Sequence, residues 1–288
     1  FTSESVASGE VIWARAYDAS LNATHILNTY FVNMQYGSYS LTRQFVNTYL
    51  NRDGSRFTDK AGYEKTLFAD EFENRDYRLM QSIRYPGYTR RNNNVNTPYA
   101  PDFGYCVTGY QPIKWVIDDT SMDSNTAPCA TSIPILRYAE VLLNEAEAAA
   151  RAGDKTLALE KLNQVRDRSL ADPATQTYKA SDFANTKALV EAILWERRIE
   201  FQGEGRRWED IHRLAADDLL PSGGIPAKIE YNNVKNQGAF VVGGEVKAEW
   251  FGNSKQFIPY TDKRFIWPIP LNDILRNPTL AAQQNAGW

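Results

Sequence analysis

Histidine, cysteine and methionine are scarce in this 288-residue chain, with two, two and three residues. A carboxylate-bridged metal centre in a helical protein wants paired Glu-x-x-His motifs, and His25 and His212, the only histidines, do not supply two of them. Cys106 and Cys129 are too few for a disulfide scaffold and wrongly spaced for a structural zinc site. One surface disulfide in an oxidising compartment and two unpaired thiols both remain open. No run reaches the roughly 18 apolar residues that span a membrane. Positive charge is not in excess either: the net charge is −3 and the pI near 5.6. Arg84, Arg90 and Arg91 make only a small basic cluster, which excludes nucleic acid as the expected partner. Gly-x-Ser-x-Gly, a Cys/His constellation and a local Ser/His/Asp set are missing, so nucleophilic catalysis has no foothold. No segment nominates a carboxylate pair for glycoside hydrolysis, and the chain reads as a non-enzyme. Phe1-Thr2-Ser3-Glu4 is neither a signal peptide nor an initiator Met, so the expected origin is a longer precursor.

What the chain has in plenty is aromatic side chains, 16 Tyr and 7 Trp among them, in a composition of 43% hydrophobic and 23% charged residues close to the globular norm. The strongest pattern runs from Ile135 to Leu214. Leu136, Ala139, Leu143, Ala146 and Ala150 step by three and four and predict one helical face. Gly153 supplies a left-handed stop and Asp154 an N-cap. Ala158, Leu162 and Val165 form the stripe of a second helix, and Leu189, Ile193 and Ile199 that of a third over about 186–202. The first two helices make one tetratricopeptide-type hairpin, not a repeating array.

Elsewhere the signals are shorter. Leu41, Phe45 and Val46 predict a helix over 40–50, ended by the Asn51–Gly54 turn, and 69–83 reads as helical or extended. Val11-Ile12-Trp13 is a short apolar run without a period. From Tyr85 to Trp115 the period is lost, and 116–133 stay irregular. Phe240-Val241-Val242 is strand-like, Trp267-Pro268-Ile269-Pro270 must be extended, and a helical turn follows near 272–275. The expectation is one mainly α-helical domain over 1–288: a loop-rich ligand face at about 1–133, a helical scaffold at 134–215 and an irregular part at 216–288.

Two groups of residues invite a functional reading. Glu196 and Glu200 lie one helical turn apart, followed by Glu204, Arg207 and Asp210. With Arg137, Glu140, Arg166 and Arg197 they are expected to tie helices together as a structural ion-pair cluster, because buried charges need partners. The second group is the loop aromatics. Sugar rings offer apolar C–H faces to flat side chains, and their hydroxyls need amide, carboxylate or guanidinium partners. The stretches 33–43 and 85–110 supply both, and the candidate glycan-binding residues are Tyr36, Tyr39, Arg43, Tyr88, Arg91, Asn93, Tyr99, Phe103, Tyr105 and Tyr110. Trp195, Trp208 and Trp267 are expected in the core.

Several segments, in order, resemble the SusD/RagB family of outer-membrane nutrient-binding lipoproteins, C-terminal region. They are Asp53-Gly54 with FTDKAGYEKTLF behind it, NRDYRLMQSIRYPGY (74–88), LRYAEVLLNEAEA (136–148), LNQVRDRS (162–169), ERRIEFQGEGRRWEDIHRL (196–214) and the closing WPIPLNDILRNPTLAAQQNAGW. His212, where the family usually carries Lys or Arg, and the Ala-Gly-Trp ending depart from the pattern. The resemblance implies a SusD-like fold of tetratricopeptide-like helical hairpins with long loops and minor β structure. It implies non-catalytic capture of oligosaccharide at the surface of the outer membrane and delivery to a SusC-type TonB-dependent transporter. It also implies a lipid anchor on an N-terminal half that is not part of this chain and that supplies further helices and part of the ligand platform. No cofactor is expected; calcium has no support in the residues. The alternative is a peptide- or protein-binding adhesion module on the same scaffold.

Overall fold

The structure is a computed structural model describing residues 9–33, 39–101, 106, 108–124, 129–170, 176–216, 238–241, 244–245 and 268–284. The chain gathers into two compact units, Phe1–Glu204 with Lys235–Trp250, and Gly205–Val234 with Phe251–Trp288. In the first, β1 (Val11–Arg15), α1 (Leu27–Val32), α2 (Arg43–Val46) and α3 (Tyr77–Ser82) come before a hairpin of β2 (Thr89–Asn92) and β3 (Val95–Pro98). Strand β4 (Ile133–Arg137) then runs straight into α4 (Tyr138–Ala152), followed by α5 (Lys155–Arg166) and α6 (Thr186–Glu200). A ribbon of β5 (Phe240–Val241) and β6 (Gly244–Glu245) completes this unit. The second unit contains α7 (Arg206–Ala216) and α8 (Leu271–Arg276). Among the described residues sheet is confined to antiparallel ribbons β1–β4, β2–β3 and β5–β6, so the fold is mainly α-helical with minor β, as expected.

The helical block follows its local code. Ala139, Leu142, Leu143, Ala146 and Ala150 of α4 are buried, as are Ala158, Leu162 and Val165 of α5 and Leu189, Ile193 and Ile199 of α6. Gly153 ends α4 at φ 89°, and the Asp154 carboxylate accepts the Leu157 N–H at 3.0 Å to start α5. Asn185 caps α6 through the Ala188 N–H at 2.9 Å. A second cluster joins the loops to this block: Val46, Tyr49, Phe68, Phe72, Leu79, Ile83 and Tyr110 bury themselves with Ile199. Cys106 and Cys129 are separate buried thiols.

Four expected stretches change form. Leu136 belongs to β4, not to the first helix. Pro134 restrains Ile133 to an extended conformation, and pairing with β1, where Leu136 faces Trp13, continues the strand to Arg137. The helix expected over 40–50 shrinks to Arg43–Val46, capped by the Thr42 hydroxyl. Residues 69–83 are helical only in α3, which starts at an Asp76 cap. The irregular stretch after Tyr85 hides the β2–β3 hairpin. Asn93 and Asn94 turn it with φ 49° and 63°, the two left-handed positions of a type I′ turn.

The charged run on α6 becomes the fastening of the first unit. Glu200 receives Arg137 Nη1 at 3.1 Å, Arg168 Nη2 at 2.9 Å and Arg78 Nη1 at 3.1 Å. Arg137 grips Glu204 with two donors at 2.8 Å each and reaches Glu10 at 2.6 Å. Lys114 donates to the Glu200 carbonyl at 2.9 Å and to the Glu204 carboxylate. Glu196 pairs with Arg78, which also holds Asp76. Arg166 stands 4.0 Å from Glu196 with its guanidinium on the Tyr178 ring. It also comes within 3.3 Å of where a Cβ on Gly54 would lie, and Gly54 has φ 84°, so this turn of the Asp-Gly segment is built for glycine. Arg197 donates instead to Asn144 on α4 at 2.6 Å. Glu140 lies half-buried in the first turn of α4. The expected cluster is also divided, because Arg207 and Asp210 sit on α7 in the other unit, where Asp210 pairs with Arg213 at 2.9 Å.

Burial alone would raise the Glu200 pKa. Arg78, Arg168, Arg137 and Lys114 together overturn that effect and bring it to about 2. Burial likewise opposes the charge on Arg137, and Glu204, Glu200 and Glu10 more than compensate.

Two predictions follow from packing and charge. Leu162→Ala, at 0% exposure, is expected to cost about 2–5 kcal/mol in urea unfolding, whereas Leu136→Ala, on the exposed ribbon, costs under about 1 kcal/mol. Glu200→Gln lowers stability at pH 7 by about 3 kcal/mol, the depressed pKa read as linkage. The wild-type advantage is fully present above the ordinary carboxylate value of 4.5 and fades as the pH falls toward about 2. A wild-type advantage that grew on acidification would contradict this ionic role.

Candidate functional site

Beyond the fastening, α1 and the β2–β3 hairpin are held on one turn, Thr120–Asp123. Asn28 of α1 donates to the Met122 carbonyl at 2.7 Å and to Asp123 at 3.3 Å, and its own carbonyl accepts the Ile117 N–H at 2.8 Å. From β2, Arg90 meets both Asp123 oxygens, at 2.7 and 2.6 Å, and donates to the Ile117 carbonyl at 2.6 Å. Burial disfavours the Arg90 charge, but Asp123 prevails and holds the guanidinium pKa above its ordinary value. A bidentate pair of this kind fixes angle as well as distance.

On this frame stand the exposed candidates. Tyr39 is 53% exposed, with Tyr30 edge-on at 6.5 Å between ring centroids and Phe31 tilted against it at 5.5 Å. Tyr30 is itself partly exposed, at 37%. Sequence reading did not select Tyr30 and Phe31, although they adjoin the chosen stretch. Asn92, Asn93, Asn94 and Asn96 line the exposed end of the hairpin, beside Arg91. Asn93 and Arg91 therefore lie at the surface as expected, Arg91 with Asp119 at 3.9 Å.

Other candidates point inward. The Tyr110 ring is fully buried, and its hydroxyl donates to the Glu71 carboxylate, within 2.7 and 2.9 Å of its oxygens. Burial, reinforced by Glu71, pushes the Tyr110 pKa up, so this ring is part of the core cluster. Arg43 is buried beside it, and its charge acts on Tyr110. Tyr88 is buried, and burial raises its pKa. Tyr99 is half-buried, with the guanidinium groups of Arg84 and Arg90 on its ring at 4.5 and 5.1 Å. In physical terms Arg43 and Tyr110 pin loops and offer no open face, whereas Tyr88, though buried, borders a cavity together with Arg78 and Glu200. Tyr36, Phe103 and Tyr105 lie outside the described residues, as does Trp267. Trp195 is half-buried against the core, its indole N–H on the Thr48 carbonyl at 2.7 Å, whereas Trp208 is 42% exposed rather than in the core.

A cavity of about 520 Å³ opens against the ionic fastening, with Tyr77, Gln81, Arg78, Glu10, Arg137 and Glu200 in its wall. Glu10 and Glu200 in its wall are paired with arginines and Glu200 is held ionised, which suits a clasp and not a proton donor at neutral pH. Among the described residues no group of His, Cys, Asp and Glu is arranged to hold a metal ion, and no helix is long and apolar enough to cross a membrane.

The SusD family model matches residues 9–288. A SusD-like protein of Formosa agariphila is 28% identical over 219 residues, which is 74% of this chain and 32% of that protein. A SusD-like protein of Bacteroides fragilis superposes with a TM-score of 0.67 at 21% identity, covering 98% of this chain and 55% of that one. A SusD superfamily protein of Bacteroides vulgatus gives a TM-score of 0.54 at 20% identity, covering 95% and 50%. The chain thus spans about a third of the length of the curated relative and about half of each solved one. Fold and ordered motifs agree: the chain belongs to the SusD family.

Proposed function

We propose that this chain serves non-catalytic capture of an oligosaccharide at the cell surface. The bound glycan passes into a SusC-type TonB-dependent transporter, and a lipid anchor carried on further chain holds the protein at the outer membrane. Membership of the SusD family supports a surface binding role in nutrient uptake. The observation that carries the ligand class is the exposed Tyr30–Tyr39 pair backed by Phe31. Tyrosine rings at the surface, on a helix held by the same Thr120–Asp123 turn as a hairpin of exposed asparagine amides, match the two sides of a sugar: apolar C–H faces and a rim of hydroxyls. Glu200, held ionised by its arginines, is no proton donor for glycosidic cleavage. Binding is therefore the chemistry on offer.

In calorimetric titration of the full-length protein with a polysaccharide panel, Tyr39→Ala is expected to weaken a saturable response about tenfold, equivalent to about 1.4 kcal/mol. Because the ring is exposed, its thermal midpoint stays at the wild-type value. Unchanged affinity in the Tyr30→Ala/Tyr39→Ala double variant would remove the tyrosine pair from the site. A response to casein peptides in place of every polysaccharide would move the protein to peptide capture.

A further inference from the structure

The charge around the site is distributed unevenly enough to specify the ligand further. Residues 16–42, which contain α1 and both exposed tyrosines, include no lysine or arginine. Residues 92–113, from the hairpin tip onward, include none either, and only one acid, Asp102. Of the arginines nearest the hairpin, two are turned to other work. Arg90 has a fully buried side chain clamped on Asp123. Arg84 is buried against Tyr99 and donates to the Ala100 carbonyl at 3.3 Å, and burial lowers its pKa.

Arg91 alone of the three presents its guanidinium to solvent, with 54% of the side chain exposed, and it stands 3.9 Å from the Asp119 carboxylate. The Arg91 N–H also donates to the Asp118 carbonyl at 2.6 Å, which ties this strand to the segment that carries Asp119. Asp119 is kept ionised by the Ser121 hydroxyl and N–H, at 2.7 and 2.9 Å. An approaching anion therefore meets one guanidinium already accompanied by the Asp119 carboxylate.

A sulfate or uronate group needs charge-assisted bonds from Arg or Lys to replace the water it loses. Left without them, its desolvation penalty stands unopposed. Asparagine amides and tyrosine hydroxyls, by contrast, are donors and acceptors matched to neutral hydroxyl groups. We propose that the glycan captured at this site is uncharged, and that the Asp119 carboxylate beside Arg91 turns sulfated and uronate-bearing chains away. This rests on the glycan-binding reading above and narrows it.

The test titrates the full-length protein with two sets of polysaccharides. The neutral set is mixed-linkage β-glucan, galactomannan and arabinan; the charged set is chondroitin sulfate, alginate and carrageenan. The expected result is a saturable response confined to the neutral set. Asp119→Asn removes the charge while its side-chain oxygen still accepts from Ser121, and it is expected to gain a measurable, salt-sensitive response to chondroitin sulfate, with neutral binding retained. Wild-type protein that binds a charged polysaccharide more tightly than every neutral one overturns the proposal and leaves glycan capture standing. Asp119→Asn indistinguishable from wild type toward chondroitin sulfate removes Asp119 as the discriminating group. Silence toward both sets refutes glycan capture itself.

Discussion

Glu200 is the point from which the first unit is assembled. Its carboxylate collects Arg78 from α3, Arg137 from the end of β4 and Arg168 from beyond α5, while its carbonyl takes Lys114. Charges so buried repay little net stability, because desolvation consumes most of the Coulombic attraction. Their effect is geometric. Each cation has one low-energy position, and each lies on a different stretch of chain. The contacts continue outward as a physical chain: Trp115, next to Lys114, donates to the Gly203 carbonyl at 3.0 Å. Two residues later Ile117 receives Arg90 and gives its N–H to Asn28. The tyrosine-bearing helix and the asparagine hairpin are thus referred back to the scaffold through packed, hydrogen-bonded steps.

How much of this was legible in the sequence depends on the distance over which each interaction acts. Helices α4, α5 and α6 are written locally: a stripe, a glycine at φ 89° and capping side chains at Asp154 and Asn185 lie within a few residues of what they control. The acidic residues of the clasp were visible for the same reason. Their chief partner was not. Arg78 meets Glu196 across 118 positions, and Lys114 meets Glu204 across 90, so nothing near either end announces the pair. Strand β1 was hidden likewise, since Val11–Arg15 is a strand only because Ile133–Arg137 lies beside it.

The site was half legible. Composition located the aromatic loops, and Tyr39, Arg91 and Asn93 reached the surface. Burial set Arg43 and Tyr110 apart, because a tyrosine in a proline- and glycine-rich loop reads the same whether its ring faces water or, like Tyr110, closes over a buried glutamate. The hairpin did leave a trace. Consecutive asparagines tolerate left-handed backbone better than most residues, and Asn93-Asn94 flanked by short extended runs is a turn signal that loss of helical periodicity concealed.

The hairpin separates anchoring from display. Arg90 at its base is buried and committed, while the side chains of Asn92 and Asn96, either side of the turn, lie exposed. Substitutions on the display side leave the clamp intact, so they can accumulate without loss of folding. If the proposed glycan capture holds, ligand preference changes at these few positions one at a time while the fold is kept at every step. The hairpin is where such a protein can afford to evolve.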